Sequence, residues 1–498
     1  MTLPMVYGIE TEYGITAPLS LGKDPTSAAS LLISAYLDDN ARNITWDFTD
    51  ESPGNDARGF VVDGALPPMV ETQLLNAVLD NGGRYYVDHA HPEYSSPECS
   101  DIKQALLYDL AGELILQISM EKSKSFLPGN EEIIVYKNNS DGKGNSYGCH
   151  ENYLVSRDTP FSKFVEYFIS HLVTRQIFTG SGKIGTEGIN KITDNKAIFQ
   201  ISQRADFFEE VVGLETTIRR PILNTRDEPH ADKNKYRRLH VIAGDANLAE
   251  TATLLKLATS AIVLQLIEDG ALDDLQLEID SPVQAIQAIS RDTSLKYKLK
   301  LKNGKSLTAL EVQWLYLEIA TKYNIQNGLV SLGDDDFAGE ILQRWEYVLS
   351  ALESDPFLLA KQLDWVAKLQ IMNAFCERHN CDYDDPNVAA IDLQYHDMRP
   401  HKSIFRRLNM EKIISDDQIR SAIITPPETT RAYFRGECLK KYPKNIKHIN
   451  WDSILFDIDD GPLRKVAMTE PLRGSKMHVY DLLQKSPSAK DLLNNLGN

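Results

Sequence analysis

The chain is expected to be an α+β protein, and two patterns predict this. Residues 7–14, 85–98, 132–137, 147–155 and much of 197–245 read as strands whose side chains alternate between two faces. Residues 28–37, 105–124, 246–267, 308–323, 337–352 and 357–377 carry apolar residues at helical spacing. The Trp, Leu and Tyr stripes of the later helices read as core. Thr308-Ala-Leu-Glu311 has the reciprocal pattern of a capping box and should open one of them.

Two stretches organise the rest: Tyr7-Gly-Ile-Glu-Thr-Glu-Tyr-Gly14, and the run from Tyr85 to Glu98 that contains Asp88-His-Ala-His-Pro-Glu93. In a strand, Glu10 and Glu12 share one face, and so do Arg84, Tyr86 and Asp88. Neighbouring carboxylates repel and nothing apolar rewards burying them, so a divalent cation or a wet cleft is the natural explanation. Hard oxygen ligands of this kind suit magnesium.

At 498 residues, 42% apolar and 25% charged, the composition is that of a globular protein with one large domain and a smaller appendage. The net charge of −18 argues against general affinity for nucleic acid or an acidic membrane. Five scattered cysteines, an odd number, speak for a reducing compartment, the cytoplasm. Acids at 10 and 12 stand where a signal peptide needs an apolar run, and no later run of about twenty apolar residues occurs, so neither secretion nor membrane spanning is expected.

Residues 38–68 are rich in Asp, Asn, Gly and Pro and read as a mobile loop between the two acidic strands, either an insertion without a role or a segment that gates or tunes the site, and deletion of about residues 40–66 is expected to leave the fold intact. His150-Glu151 opens like a zinc-protease helix, but Leu154 occupies the place of the second histidine, and Gly180-Ser-Gly-Lys183 lacks the hydroxyl residue of a phosphate loop. Cys376, His379 and Cys381 offer too few ligands for a zinc knuckle and read as a helix end. Residues 197–245 hold many charged side chains on strands, which suggests the wall of an active-site trough, with Arg204 among the arginines able to clamp phosphate or carboxylate. Arg431 and Arg435, next to Gly436, read as another such clamp, and Trp451 as a platform for a purine ring.

Taken together, Tyr7–Gly14 and Asp88–Ser95 resemble the Pup ligase and depupylase family, which is related to carboxylate-amine ligases of the glutamine synthetase fold. The likeness extends through Tyr136-Lys-Asn-Asn139, His150-Glu-Asn-Tyr153, Ser202-Gln-Arg-Ala-Asp-Phe207, Asn224-Thr-Arg-Asp-Glu-Pro-His-Ala231, Tyr236-Arg-Arg-Leu-His240 and Trp451. It implies a glutamine synthetase-like curved antiparallel sheet backed by helices over residues 1–430, and a small C-terminal domain over 431–498. The insertion at about 38–68 and the Asp-His-Ala-His-Pro-Glu wording are similar to the depupylase branch rather than the ligase branch, which is the alternative. That branch implies an ATP- and magnesium-dependent hydrolase that cleaves the isopeptide bond between Pup's C-terminal Glu and a substrate lysine, and deamidates a C-terminal Gln of Pup. Its partners would be Pup and pupylated proteins, and the enzyme a monomer. Carried over by residue, the resemblance implies Asp88 as the catalytic acid, and Glu10, Tyr86 and Glu93 as metal ligands with Glu12 and His150 beside them. It implies Arg84, Ser96 and Trp451 as ATP contacts; His240 is a weaker rival of His150. Because Pup is acidic in this family, the basic cluster Lys233, Lys235, Arg237 and Arg238 is expected to steer it.

Overall fold

The computed structural model describes residues 5–37, 44–49, 51–62, 74–187, 198–458 and 461–496. Six strands, β1 (Tyr7–Glu12), β2 (Asn76–Val78), β3 (Arg84–Asp88), β4 (His91–Ser95), β5 (Cys149–Ser156) and β6 (Tyr236–Val241), form one sheet. Their order is β6-β5-β1-β4-β3-β2, and every pairing is antiparallel. The alternation decides which face is which. On β1, Tyr7, Ile9 and Thr11 are buried, whereas Gly8, Glu10 and Glu12 look the other way. Burying a side chain such as Tyr7 or Ile9 contributes roughly 1.5–3 kcal/mol, and slipping the register by one residue would turn Glu10 and Glu12 onto the packed face in place of Ile9 and Thr11.

Four helices cover the apolar face or lie just beneath it: α1 (Pro25–Leu37), α2 (Ile102–Ser123), α3 (Phe161–Thr174) and α4 (Glu250–Glu268). The Asp101 side chain caps α2 by accepting the Gln104 N–H at 2.8 Å, a cap that contributes about 1 kcal/mol. Gly112 inside α2 costs about 1 kcal/mol of helix propensity relative to Ala. Its reason is close approach, since a Cβ there would stand 2.3 Å from the Tyr94 ring of β4. Helix α4 is long and apolar enough to cross a membrane by length and composition, but it is buried within the core among α2 and α3 and is a core helix. The capping box at Thr308 and Glu311 forms as expected, with both reciprocal hydrogen bonds present.

A smaller four-stranded sheet is built from Ile446–Ile449, Ser453–Phe456 and Arg464–Ala467 of the C-terminal region and from Thr45–Trp46. It has its own apolar core, including Tyr433, Phe434, Leu439, Ile454, Phe456 and Leu492. Thr45–Trp46 joins it in parallel, with Thr45 opposite His448 and Trp46 opposite Ile449. This corrects the expectation of a dispensable polar loop for the described residues 44–49 and 51–62. Trp46 is only 5% exposed, Asn55–Asp56 pairs with Phe60–Val61, and the Asp56 carboxylate accepts from Arg58 and Thr225. Burial of an indole and strand pairing make this stretch part of the fold; the remainder of 38–68 lies outside the described residues.

Candidate active site

The face of the sheet turned away from the helices forms a trough. Strand pairing sets residues from distant parts of the chain side by side across it. Glu10 stands between His150 and Ser95, Glu12 lies opposite Glu93, and Tyr86 lies opposite Glu93 on the other side. Asp88 closes β3, and only His89 and Ala90 connect β3 to β4. His89 takes a positive φ of 52° in that turn, and its Nδ1 lies 3.1 Å from Asp88 Oδ1.

Two clusters result. Glu12, Asp88 and Glu93 bring one oxygen each within 4.8 Å of one another, and Glu10, His150 and His240 do the same with one ligand atom each. The first cluster is frustrated by its own charge. Burial, then Asp88, Glu12 and Glu10, push Glu93 well above the usual carboxylate range, and burial, then Asp88, raise Glu12. Asp88 moves the other way: burial opposes ionisation, but the hydrogen bond and charge of His89, with His150 and Arg84, hold it below its ordinary value. Glu10 is held well below the usual range, against burial, by His150, His240 and Arg238. Burial and Arg238 keep His240 well below 6.5, hence neutral at pH 7. Tyr86 is pushed far above its ordinary value by burial and Glu93, so its phenol keeps its proton.

Two polar residues complete the Glu10 cluster: Asn152, to which no site role was expected, and Arg238, which was expected in a basic cluster for Pup instead. Asn152 donates to Glu10 Oε1 at 3.0 Å, and its Oδ1 accepts from Arg238 at 2.8 Å and lies 3.0 Å from His240 Nδ1. Arg238 also donates to the Glu228 carbonyl and lies 3.5 Å from Glu10. Both were within reach of the alternation rule, being two positions from His150 and His240 on their strands. Gly148 is glycine because His150 folds back over it: a Cβ at 148 would stand 2.1 Å from His150 Nε2.

Beyond Glu10 the trough opens into a cavity lined by Gly8, Ser96, Leu154, Pro229, Arg238 and Trp451, among others. Ser96 Oγ accepts the Ile9 N–H at 2.9 Å. Arg84 flanks this end with its guanidinium between the rings of Trp46, at 4.1 Å, and Tyr86, at 3.8 Å. Trp451 meets Trp46 edge to face, with centroids 5.3 Å apart.

Other expectations are corrected. Arg431 and Arg435 are not a free clamp, since both are buried and spent on Glu98, whose carboxylate they hold at about 2 against the cost of burial. The basic cluster is split by the alternation of β6. Arg237 is buried on the helix side and donates to the Thr159 carbonyl, whereas Arg238 lies in the trough. Lys235 pairs with Glu470 and Asp232, so the four residues present no joint basic surface. Arg204 is buried at the Glu12 end, donates to the Tyr147 carbonyl at 2.6 Å, and is lowered to about 10 by burial and Arg220. Glu151, part of the rejected zinc motif, points away from the trough into a buried bidentate pair with Arg175.

An antiparallel sheet that carries acids on its open face, with an aromatic pocket at one end, marks the acidic trough as the candidate active site of an enzyme. The chain belongs to the Pup-ligase protein family, whose match covers residues 5–455. It is 46% identical over 501 residues to a depupylase of Acidothermus cellulolyticus, covering 98% of each chain. It is 45% identical to a Pup deamidase/depupylase of Mycobacterium tuberculosis, covering 99% of this chain and 98% of the other. Its fold superposes on that of the ligase PafA in complex with Pup, with a TM-score of 0.80, 31% identity, and coverage of 97% of this chain and 92% of the other. PafA in complex with ADP gives a TM-score of 0.73 and 35% identity, covering 82% and 89%. The expected α+β architecture, an antiparallel sheet backed by helices, is therefore the one found, and it is shared with the Pup ligase structures.

Proposed function

We propose that this protein is an ATP- and magnesium-dependent depupylase. It hydrolyses the isopeptide bond between Pup's C-terminal Glu and a substrate lysine, and it deamidates a C-terminal Gln of Pup to Glu. It acts as a monomer in the cytoplasm, with Pup and pupylated proteins as partners. The near-full-length identity to depupylases supports this over ligation, since the identity to the ligase structures is lower.

The observation that carries the chemistry is the placement of Asp88 at the end of β3 beside Glu12 and Glu93. It alone of those three acids is pulled below its ordinary value, so a carboxylate stands ready at neutral pH to act on the side-chain carbonyl of Pup's last residue. Hydrolysis adds water across the C–N bond, leaving a carboxylate on Pup and an amine, or ammonia from Gln, as the other product. In this reading Arg84, Ser96 and Trp451 bind ATP, with the base against Trp451 and the phosphates toward Arg84.

The donor set fits magnesium, which takes hard oxygens and is commonly held by one or two carboxylates together with nucleotide phosphates. Glu10, Tyr86 and Glu93 would hold it, with Glu12 adjacent. His150 Nδ1 lies 3.5 Å from Glu10 Oε2 and supports the ionised form of that ligand. When bound, the cation neutralises phosphate charge and relieves the repulsion that raises Glu93. Glu10→Ala and Glu93→Ala are expected to weaken Mg-ATP binding by at least about tenfold, because either loss leaves phosphate charge uncompensated. Unchanged affinity in calorimetry would refute the ligand assignment. The test of the function is incubation with a pupylated protein, ATP and magnesium. Release of intact Pup and the unmodified protein supports hydrolysis, whereas conjugation of Glu-ended Pup to a lysine without release supports the ligase alternative.

A further inference from the structure

We infer that Trp46 is a positioning residue that holds Arg84 ready for the nucleotide's phosphates. The described stretch 44–49 that carries Trp46 is then part of the nucleotide site. This rests on the reading of Arg84 as an ATP contact.

Arg84 is caged. Its guanidinium carbon lies 4.1 Å from the centre of the Trp46 ring and 3.8 Å from that of Tyr86, with Phe48 at 5.9 Å. Its Nε donates to Asn76 Oδ1 at 2.9 Å. Among the described residues its two terminal NH2 groups make no hydrogen bond and it has no ion pair, so the two-pronged end of the cation is left for a ligand. A weakly hydrated guanidinium stacks well on aromatic faces, and such a sandwich selects one rotamer of a side chain that otherwise samples many. An ordered guanidinium of this kind suits an anion such as a phosphate.

Trp46 is itself fixed from three sides. Its strand pairs in parallel with Ile446–Ile449, its indole N–H donates to Glu51 Oε1 at 2.7 Å, and its ring meets Trp451 edge to face. Trp451 thus serves as one of the supports of the indole that stacks on Arg84. Pre-ordering Arg84 lowers the entropy that binding would otherwise cost.

The test is titration of Mg-ADP and Mg-ATP into the full-length protein and its Trp46→Leu, Trp46→Phe, Arg84→Ala and Trp46→Leu/Arg84→Ala variants, with the melting temperature of each measured without nucleotide. Leu fills the space without an aromatic face, and Phe restores the face. Trp46→Leu is expected to weaken nucleotide binding about tenfold and Trp46→Phe no more than about threefold. In the Arg84→Ala background the Leu substitution is expected to add less than about twofold, because its effect runs through Arg84. Wild-type affinity in Trp46→Leu, or the same loss with and without Arg84, overturns the inference while leaving the nucleotide site intact. Wild-type affinity in Arg84→Ala instead overturns the reading of Arg84. Should Trp46→Leu not fold, Glu51→Ala, which frees the indole N–H, is expected to cost about threefold in affinity; no loss there counts against the inference.

Discussion

Replacing Asp88 by Asn is expected to abolish cleavage of pupylated protein, lowering kcat by about a thousandfold or more, while nucleotide affinity stays within a few-fold. Asn keeps the size of the side chain at the end of β3 and removes only the ionised oxygen that acts on the carbonyl. Asp88 does not line the cavity that holds Gly8, Ser96 and Trp451, so the base and its platform are untouched. Loss of its charge also removes the neighbour that most strongly raises Glu12 and Glu93, apart from burial. The cation site should therefore be no weaker. The measurement pairs single-turnover release of Pup with calorimetry of Mg-ATP. Wild-type turnover in the Asn variant would remove Asp88 from the mechanism, and a parallel collapse of ATP affinity would make it a binding residue.

Glu98→Ala is expected to destabilise the fold by about 3–5 kcal/mol and to weaken nucleotide binding together with it, because it leaves two buried guanidinium groups without their counter-charge. Glu98 accepts from Arg431 Nε at 2.7 Å and from Arg435 Nη1 at 3.1 Å. Arg435 in turn donates to the Trp451 carbonyl at 2.8 Å and to the Gly82 carbonyl at 2.8 Å, and its guanidinium lies 5.0 Å from the centre of the Trp451 ring. One carboxylate next to β4 therefore ties the smaller sheet to the larger one and seats Trp451. Its pH dependence has a definite sign. Glu98 sits at about 2 in the folded protein against an ordinary 4.5, so the folded state favours the ionised form. The contribution, about 3 kcal/mol, is fully present above pH 4.5 and is lost as the pH falls from there toward 2. Denaturant unfolding of wild type and Glu98→Ala should thus differ at pH 7 and converge as the solution is acidified. Equal stability at pH 7 would mean that the two arginines find other partners.

Residues close together along the chain settle local features only. The side-chain period of a strand is two, so Glu10 and Glu12 had to share a face, as did Arg84, Tyr86 and Asp88, whatever else the chain did. The capping box at Thr308 followed from four consecutive residues, and the long family motifs pointed to the fold and the chemistry. Tertiary structure decided everything that depends on which strands are neighbours. Glu12 faces Glu93, and Glu93 faces Tyr86, only because β4 inserts between β1 and β3. Arg431 and Arg435 looked like free cations because their partner, Glu98, lies more than 300 positions away. Lys233, Lys235, Arg237 and Arg238 looked like one patch because sequence proximity says nothing about facing, and β6 sends Arg237 and Arg238 to opposite sides. Trp46 lay in a polar stretch that composition marked as a loop; its burial became visible only once Ile446–Ile449, four hundred residues on, supplied the strand beside it. Periodicity and caps are set by neighbours along the chain, whereas the partner of a charge or the cover of an indole is set by the pairing of distant segments.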